Sequence, residues 1–147
     1  MTVMIKAAMK ESFESRLWRW GGNLFPAYRN SGARLVYVAA DFHEVHIQIP
    51  STWKTRNHMG ITWGGGLYSA LDPIYGVMLH KLLGGKCRVV DKSAVIEFKR
   101  PAKTSLSARF VITRQELFSI RKDLQTARKL ERHYEVALCD KHGRVHA

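Results

Sequence analysis

Apolar positions recur along this chain in two rhythms, one helical and one alternating. Over residues 3–20 the side chains of Met9, Phe13, Leu17 and Trp20 form one helical stripe, and Gly21-Gly22 supply a stop signal, so residues 1–22 read as an N-terminal packing helix. After a loop over 26–32 the rhythm changes. Residues 34–40 and 44–49 read as two strands joined at Asp41-Phe42-His43, with Val45, Ile47 and Ile49 inward and His46 and Gln48 outward. An outward His46 is a poor catalytic candidate. Residues 50–63 are loop-like, and then Leu67, Ala70, Leu71, Ile74, Val77, Met78 and Leu79 cover more than one helical face. That breadth predicts a central helix over 64–84, wrapped by other elements and closed by Gly84-Gly85. Beyond it, residues 87–90 and 94–98 predict one bent strand or two, with Pro101 at a strand end or bulge. Residues 106–113 predict a strand with one buried face. Residues 115–129 suit a surface helix through Leu117, Ile120, Leu124 and Ala127, and 134–138 return to alternation before a hairpin turn at Asp140-Lys141-His142-Gly143. The order predicts one α+β domain over 1–147, a curved antiparallel sheet wrapped around a buried helix.

One acid interrupts the apolar helix. Asp72 falls among residues expected to be buried, where an unpaired carboxylate is costly and its pKa should rise. Pro73 follows directly and removes the hydrogen bond to the carbonyl of Ser69. Two adjacent violations of local rules point toward a functional position. Gly64-Gly65-Gly66 opens the same helix, and its free N–H groups with the positive end of the helix dipole could hold a phosphate or an oxyanion. The plain alternative is a glycine-rich turn with a satisfied core aspartate.

Charge adds one constraint. The 147 residues carry a formal net charge of +12, from 24 Lys and Arg against 12 Asp and Glu, which admits nucleic acid, an anionic membrane surface or a phosphate-bearing small molecule as partner. No recognition helix, zinc pattern or strand with paired exposed aromatics supports specific nucleic-acid binding. No apolar run is long enough to insert in a membrane, and the start lacks a signal-peptide pattern, so a cytoplasmic location is the default expectation. Cys87 and Cys139 are too few for a disulfide framework and too far apart for a metal pair. Lys99, Arg100 and Lys103 cluster around Pro101 as a candidate phosphate site or as plain solubility, while Arg128, Lys129 and Arg132 read as a solvated helix face.

The words Asn57-x-x-Gly60 and Gly64-Gly65, set before a helix bearing Asp72-Pro73-x-Tyr75-Gly76, resemble the hotdog-fold thioesterase superfamily. Within it the chain is most similar to the branch related to phenylacetate-pathway-type (PaaI-like) acyl-CoA thioesterases. Asn23-Leu24-Phe25-Pro26-Ala27-Tyr28 and Ser31-Gly32 match an early loop of that branch, Lys54-Thr55-Arg56-Asn57 the loop before its helix, and Asp91-Lys92-Ser93-Ala94-Val95-Ile96 the strand after it. The resemblance implies a hotdog fold and hydrolysis of an acyl-CoA, with coenzyme A as part of the substrate and no separate cofactor or metal. It implies Asp72 as general base or nucleophile, Gly64 as the residue whose N–H polarises the carbonyl, and Asn57 as holder of water or thioester. It also implies a homodimer or a dimer of dimers, with Asp72 of one subunit facing Asn57 and Gly64 of the other. Trp63, Gly65, Tyr68, Tyr75, Lys92, Ser93, Lys99, Arg100 and Lys103 are then the candidate substrate contacts. Relatives carry a histidine directly before the two glycines, where this chain has Trp63, and a serine or threonine where it offers Asp91, Lys92 and Ser93. The alternative function is an acyl-CoA or lipid-binding hotdog module without turnover.

Overall fold

A computed structural model describes residues 10–147, so the part of the expected first helix before Lys10 lies outside the described residues. Helix α1 (Phe13–Leu24) begins at a reciprocal cap in which the Ser12 hydroxyl accepts from Ser15 N at 3.0 Å and the Ser15 hydroxyl from Ser12 N at 2.9 Å. It runs through Gly21-Gly22 instead of stopping there. Gly22 is a contact residue, since a Cβ on it would lie 2.5 Å from Leu35 Cδ1. Termination falls to Pro26, because the residue before a proline is pushed out of the helical region and Phe25 is extended (φ −63°, ψ 120°). Asn23 then ties the helix end to the sheet, donating to Leu35 O at 2.9 Å and accepting from Leu35 N at 2.7 Å. Where a loop was expected, Pro26 opens a short helix α2 (Pro26–Asn30).

Strands β1 (Arg34–Val38), β2 (Glu44–Ile49) and β3 (Leu106–Val111) form an antiparallel sheet in the order β1-β2-β3. β1 ends before residue 40 because the turn into β2 places Phe42 at φ 59°, a conformation held by burying its ring edge-on to Trp18 at 5.9 Å. Val45, Ile47 and Ile49 point into the core as the alternation predicts. On the outer face, His46 Nε2 meets Glu44 at 2.6 Å.

Helix α3 (Gly64–Leu82) lies across the sheet, and Leu67, Ala70, Ile74 and Met78 share one core with Ile47, Ile49, Ala108 and Phe110. Burying each large member of that set contributes roughly 1.5–3 kcal/mol. The helix closes at Gly84 (φ 68°) and Gly85 (φ 70°), positions that need glycine. Only one side of α3 is covered. Tyr68, Ser69, Asp72, Val77 and His80 are exposed, which corrects the expectation of a helix wrapped on every face.

Two expected strands carry no ladder. Residues 87–98 form no strand, with Val90 and Val95 left 73% and 91% exposed. Residues 134–138 likewise stay outside the sheet, and the chain joins β3 only through Cys139, which exchanges backbone bonds of 2.8 and 2.9 Å with Ser107. The C-terminal turn folds back so that His146 N donates to Leu138 O at 2.8 Å, while His146 O accepts from Lys99 N and Arg100 N at 2.8 and 3.2 Å. The segment is thus tied to the C-terminal stretch at Lys99 and Arg100, while residues 87–98 make no ladder with another strand among the described residues. The turn itself forms as expected, with Gly143 at φ 77° and Asp140 Oδ1 accepting from His142 N and Arg144 N. Helix α4 (Arg114–Asp123), capped by Thr113, is shorter than the span 115–129 and buries Leu117 and Ile120.

On the outer sheet face Glu44 accepts two bonds from Arg109, at 2.6 and 3.0 Å, and the Arg109 guanidinium, helped by His46, holds its carboxyl at about 2 against burial. Because the folded value lies below the ordinary 4.5, the stabilisation is complete above about pH 4.5 and is lost as the pH falls toward 2. After allowance for solvent screening of the exposed Arg109, Glu44→Gln should cost about 1–2 kcal/mol at neutral pH. Urea denaturation across this pH range should find the gap between wild type and variant closing as the pH drops.

Candidate active site

The open face of α3 gathers the chemistry. Tyr68 and Asp72 sit one turn apart, and the Tyr68 hydroxyl donates to Asp72 Oδ1 at 2.7 Å. Asp72 is exposed in the single chain, a correction to the expected burial: α3 packs on the sheet through Leu67, Ala70, Ile74 and Met78, and Asp72 falls on the opposite side. Sequence reasoning had Asp91 only as a stand-in for a hydroxyl residue. The structure brings it beside the same helix, with Oδ2 3.9 Å from where a Cβ on Gly76 would stand. Burial and the negative charge of Asp72 push the Asp91 carboxyl above its usual range.

The helix start is shaped by contact. None of Gly64, Gly65 and Gly66 has a positive φ, so these glycines are not there for unusual backbone angles. The Trp63 indole folds back over its own helix, and a Cβ on Gly65 would lie 2.4 Å from its ring, one on Gly66 2.6 Å from its Nε1. A Cβ on Gly64 would meet the Phe98 ring at 2.9 Å. Gly66 N donates to Trp63 O at 3.0 Å and Leu67 N to the same oxygen at 3.2 Å, so the orphan donors of a helix start fall here to Gly64 and Gly65. By the helical rise, Gly64 and Asp72 of one chain are about 12 Å apart.

Asn57 stands in the preceding loop, where its side-chain oxygen accepts from Met59 N at 2.9 Å and Ile61 N at 3.4 Å, across a turn with Gly60 at φ 73°. Thr62 N donates to Ala102 O at 2.8 Å, which ties this loop to the segment carrying Lys99, Arg100 and Lys103. Arg100 donates to Val145 O at 2.7 Å, Lys99 lies 3.8 Å from Glu97, and Lys103 is exposed. Lys92 pairs with Glu131, and Ser93 is exposed. Tyr75 lies elsewhere, stacked on Tyr134 at 4.5 Å and edge-on to Phe110 at 5.0 Å. It does not line the cavity described next.

That cavity, about 830 Å³, opens between α1, α3 and the sheet, and its lining is mostly apolar. Tyr68, Ser69 and Asp72 belong to its wall, together with Leu17, Trp18, Gly21 and Phe25 of α1. The α1 wall was missed because its stripe reads simply as a packing face. Its signal was the pair of glycines in mid-helix, which the structure uses as part of a wall.

The profile described as "Domain of unknown function (DUF4442)" matches residues 20–147. No curated protein matches the sequence. Among solved structures, a Pseudomonas aeruginosa protein of unknown function, described as a probable thioesterase, superposes with a TM-score of 0.72 at 22% identity, covering 94% of this chain and 91% of that one. A Haemophilus influenzae thioesterase gives 0.57 at 11% identity over 95% and 87% of the two chains. The Escherichia coli PaaI protein of the phenylacetic acid degradation operon gives 0.53 at 14% identity over 90% and 86%. The shared architecture is the hotdog fold, as the sequence resemblance implied.

The contact between Trp63 and the glycines should be measurable. Gly65→Ala displaces the indole in the wild-type background but only improves helix propensity once Trp63→Ala has removed it. A double-mutant cycle read by thermal unfolding should give a coupling of about 1 kcal/mol or more. Additive effects would show that the ring does not hold that position.

Proposed function

This chain is a member of the DUF4442 family, and from that membership and its hotdog fold we propose that it hydrolyses an acyl-CoA thioester at Asp72. The observation that carries the reading is the position of Asp72 and Tyr68 on the wall of a large apolar cavity beside α3, with basic residues near the opposite helix end. An apolar cavity with few convergent polar groups suits an acyl chain whose reactive carbonyl stops at those groups. The likeness to proteins described as thioesterases supports the same chemistry.

In the proposed reaction Asp72 takes a proton from water while the water oxygen bonds to the thioester carbonyl carbon. The carbonyl oxygen then bears negative charge, which the N–H of Gly64 stabilises; one such donor is commonly worth about 2.7–4 kcal/mol. Collapse breaks the C–S bond, the proton passes to the departing thiolate, and the products are a free acid and the thiol of coenzyme A. As nucleophile instead, Asp72 would attack directly and water would cleave the resulting anhydride. Asn57, whose Nδ2 is left over by its loop contacts, is assigned to the water or thioester. Lys99, Arg100 and Lys103, joined to the pre-helix loop, are assigned to the phosphates of coenzyme A, with Lys92 and Ser93 as further contacts.

A separation of about 12 Å between Gly64 and Asp72 on one helix is too long for one carbonyl to touch both. We therefore assign the complete site to a homodimer, in which each Asp72 works with Asn57 and Gly64 of the other copy. The unpaired segment 87–98, with Val90 and Val95 bare, offers an edge for that association. Asp91, whose carboxyl is pushed above its usual range by burial and by the charge of Asp72, is assigned to holding the water.

A second reading, capture of an acyl-CoA without turnover, draws on Trp63, whose indole occupies the space over Gly65 and Gly66 where relatives carry a histidine. Thiol release from acetyl-, octanoyl-, palmitoyl- and phenylacetyl-CoA separates the two. Asp72→Asn should lower kcat by roughly 100-fold or more with little change in KM, the loss expected on removing a general base. Full activity in Asp72→Asn would remove the aspartate from the mechanism. Binding of every ester without turnover would select the capture reading.

A further inference from the structure

We propose that Gly21 of α1 sets the length of acyl chain this site accepts, by leaving the deep half of the cavity open to a long, unbranched chain. The inference rests on the acyl-binding reading above and deepens it to a substrate class. α1 runs antiparallel to α3: Glu14 pairs with Lys81 near the end of α3, while the Tyr28 hydroxyl just beyond α1 donates to Ala70 O at 3.4 Å. The cavity follows this channel. Its reactive end holds Tyr68 and Asp72, and its far end holds Trp18, Phe42 and Lys81, the two rings edge-on at 5.9 Å and the Lys81 ammonium 4.8 Å from the Phe42 centroid and 6.0 Å from Trp18. From Asp72 to Lys81 the helical rise gives a depth of about 14 Å. A charged, ring-backed floor ends the apolar path.

Gly21 stands halfway along this path. The α1 residues lining the cavity are Glu14, Leu17, Trp18, Gly21 and Gly22, with Phe25 just beyond the helix end, and at about 100° per residue the mean direction of those in the helix falls within about 30° of that of Gly21. A side chain there would therefore point into the cavity, and a Cβ on Gly21 would have no atom within 4 Å. Gly22 is different, because its missing side chain is required by Leu35. Gly21 has no such contact and no positive φ, and glycine in mid-helix disfavours the helix relative to alanine. Neither packing nor backbone geometry accounts for glycine at this position. An open channel does: every side chain other than hydrogen would shorten it.

The test uses full-length protein carrying Gly21→Ala, Gly21→Leu or Gly21→Trp, with Arg16→Leu on the opposite face of α1 as control. Binding of hexanoate, dodecanoate, hexanoyl-CoA and dodecanoyl-CoA is measured by calorimetry, with thiol release in parallel and thermal unfolding as the folding check. Wild type should prefer the dodecanoyl ligands, whose extended chain matches the depth of about 14 Å. Gly21→Leu and Gly21→Trp should weaken those by roughly tenfold or more, the affinity of about two buried methylenes, while hexanoyl ligands change little. Gly21→Ala should fall between, and Arg16→Leu should match wild type. An unchanged preference in folded Gly21→Leu and Gly21→Trp overturns the proposal, and Gly21→Leu alone decides if Gly21→Trp does not fold. Turnover with an unchanged length profile would sink the ruler and leave the thioesterase reading intact. A shifted binding profile without turnover would do the reverse.

Discussion

The packing of one side of α3 on the sheet governs everything else in this chain. Leu67, Ala70, Ile74 and Met78 bury against Ile47, Ile49, Ala108 and Phe110, and this leaves Tyr68, Asp72 and Val77 on the free side by helical geometry alone. Asp72 thus escapes the cost of a buried, unpaired carboxylate in the single chain. What the chain does not cover, α1 partly roofs, and the gap between them is the cavity.

Much of the architecture was legible in the sequence because local signals and packing agreed. The β2 alternation, the central helix, its glycine cap and the final turn formed where pattern and turn chemistry placed them. Disagreement arose where the deciding contact was remote. Gly21-Gly22 look like a helix stop until Leu35 is seen packed on Gly22 and Pro26 is seen to end the helix. Residues 87–98 and 134–138 have strand composition, but a strand needs a partner, and neither segment makes a ladder with the three-stranded sheet.

The site was legible in part for the same reason. Asp72 and Tyr68 are neighbours by helical spacing, so their hydrogen bond follows from the sequence. The burial of Asp72 was misjudged because a largely apolar helix can still leave one face exposed. Asp91 and the α1 wall come from distant segments and leave no periodic signal that points at Asp72. Tyr75, equally close in sequence, turns instead into the aromatic stack with Tyr134.

The central claim is that α3 supplies half of a site and a second copy supplies the rest. Mixing two inactive variants, Asp72→Asn and Asn57→Ala, tests it most directly by thiol release after subunit exchange. In a symmetric dimer with shared sites the mixed dimer regains one intact site of its two, so random exchange should restore roughly a quarter of wild-type activity. No recovery after demonstrated exchange would mean that each chain carries its own site, and the account would fail.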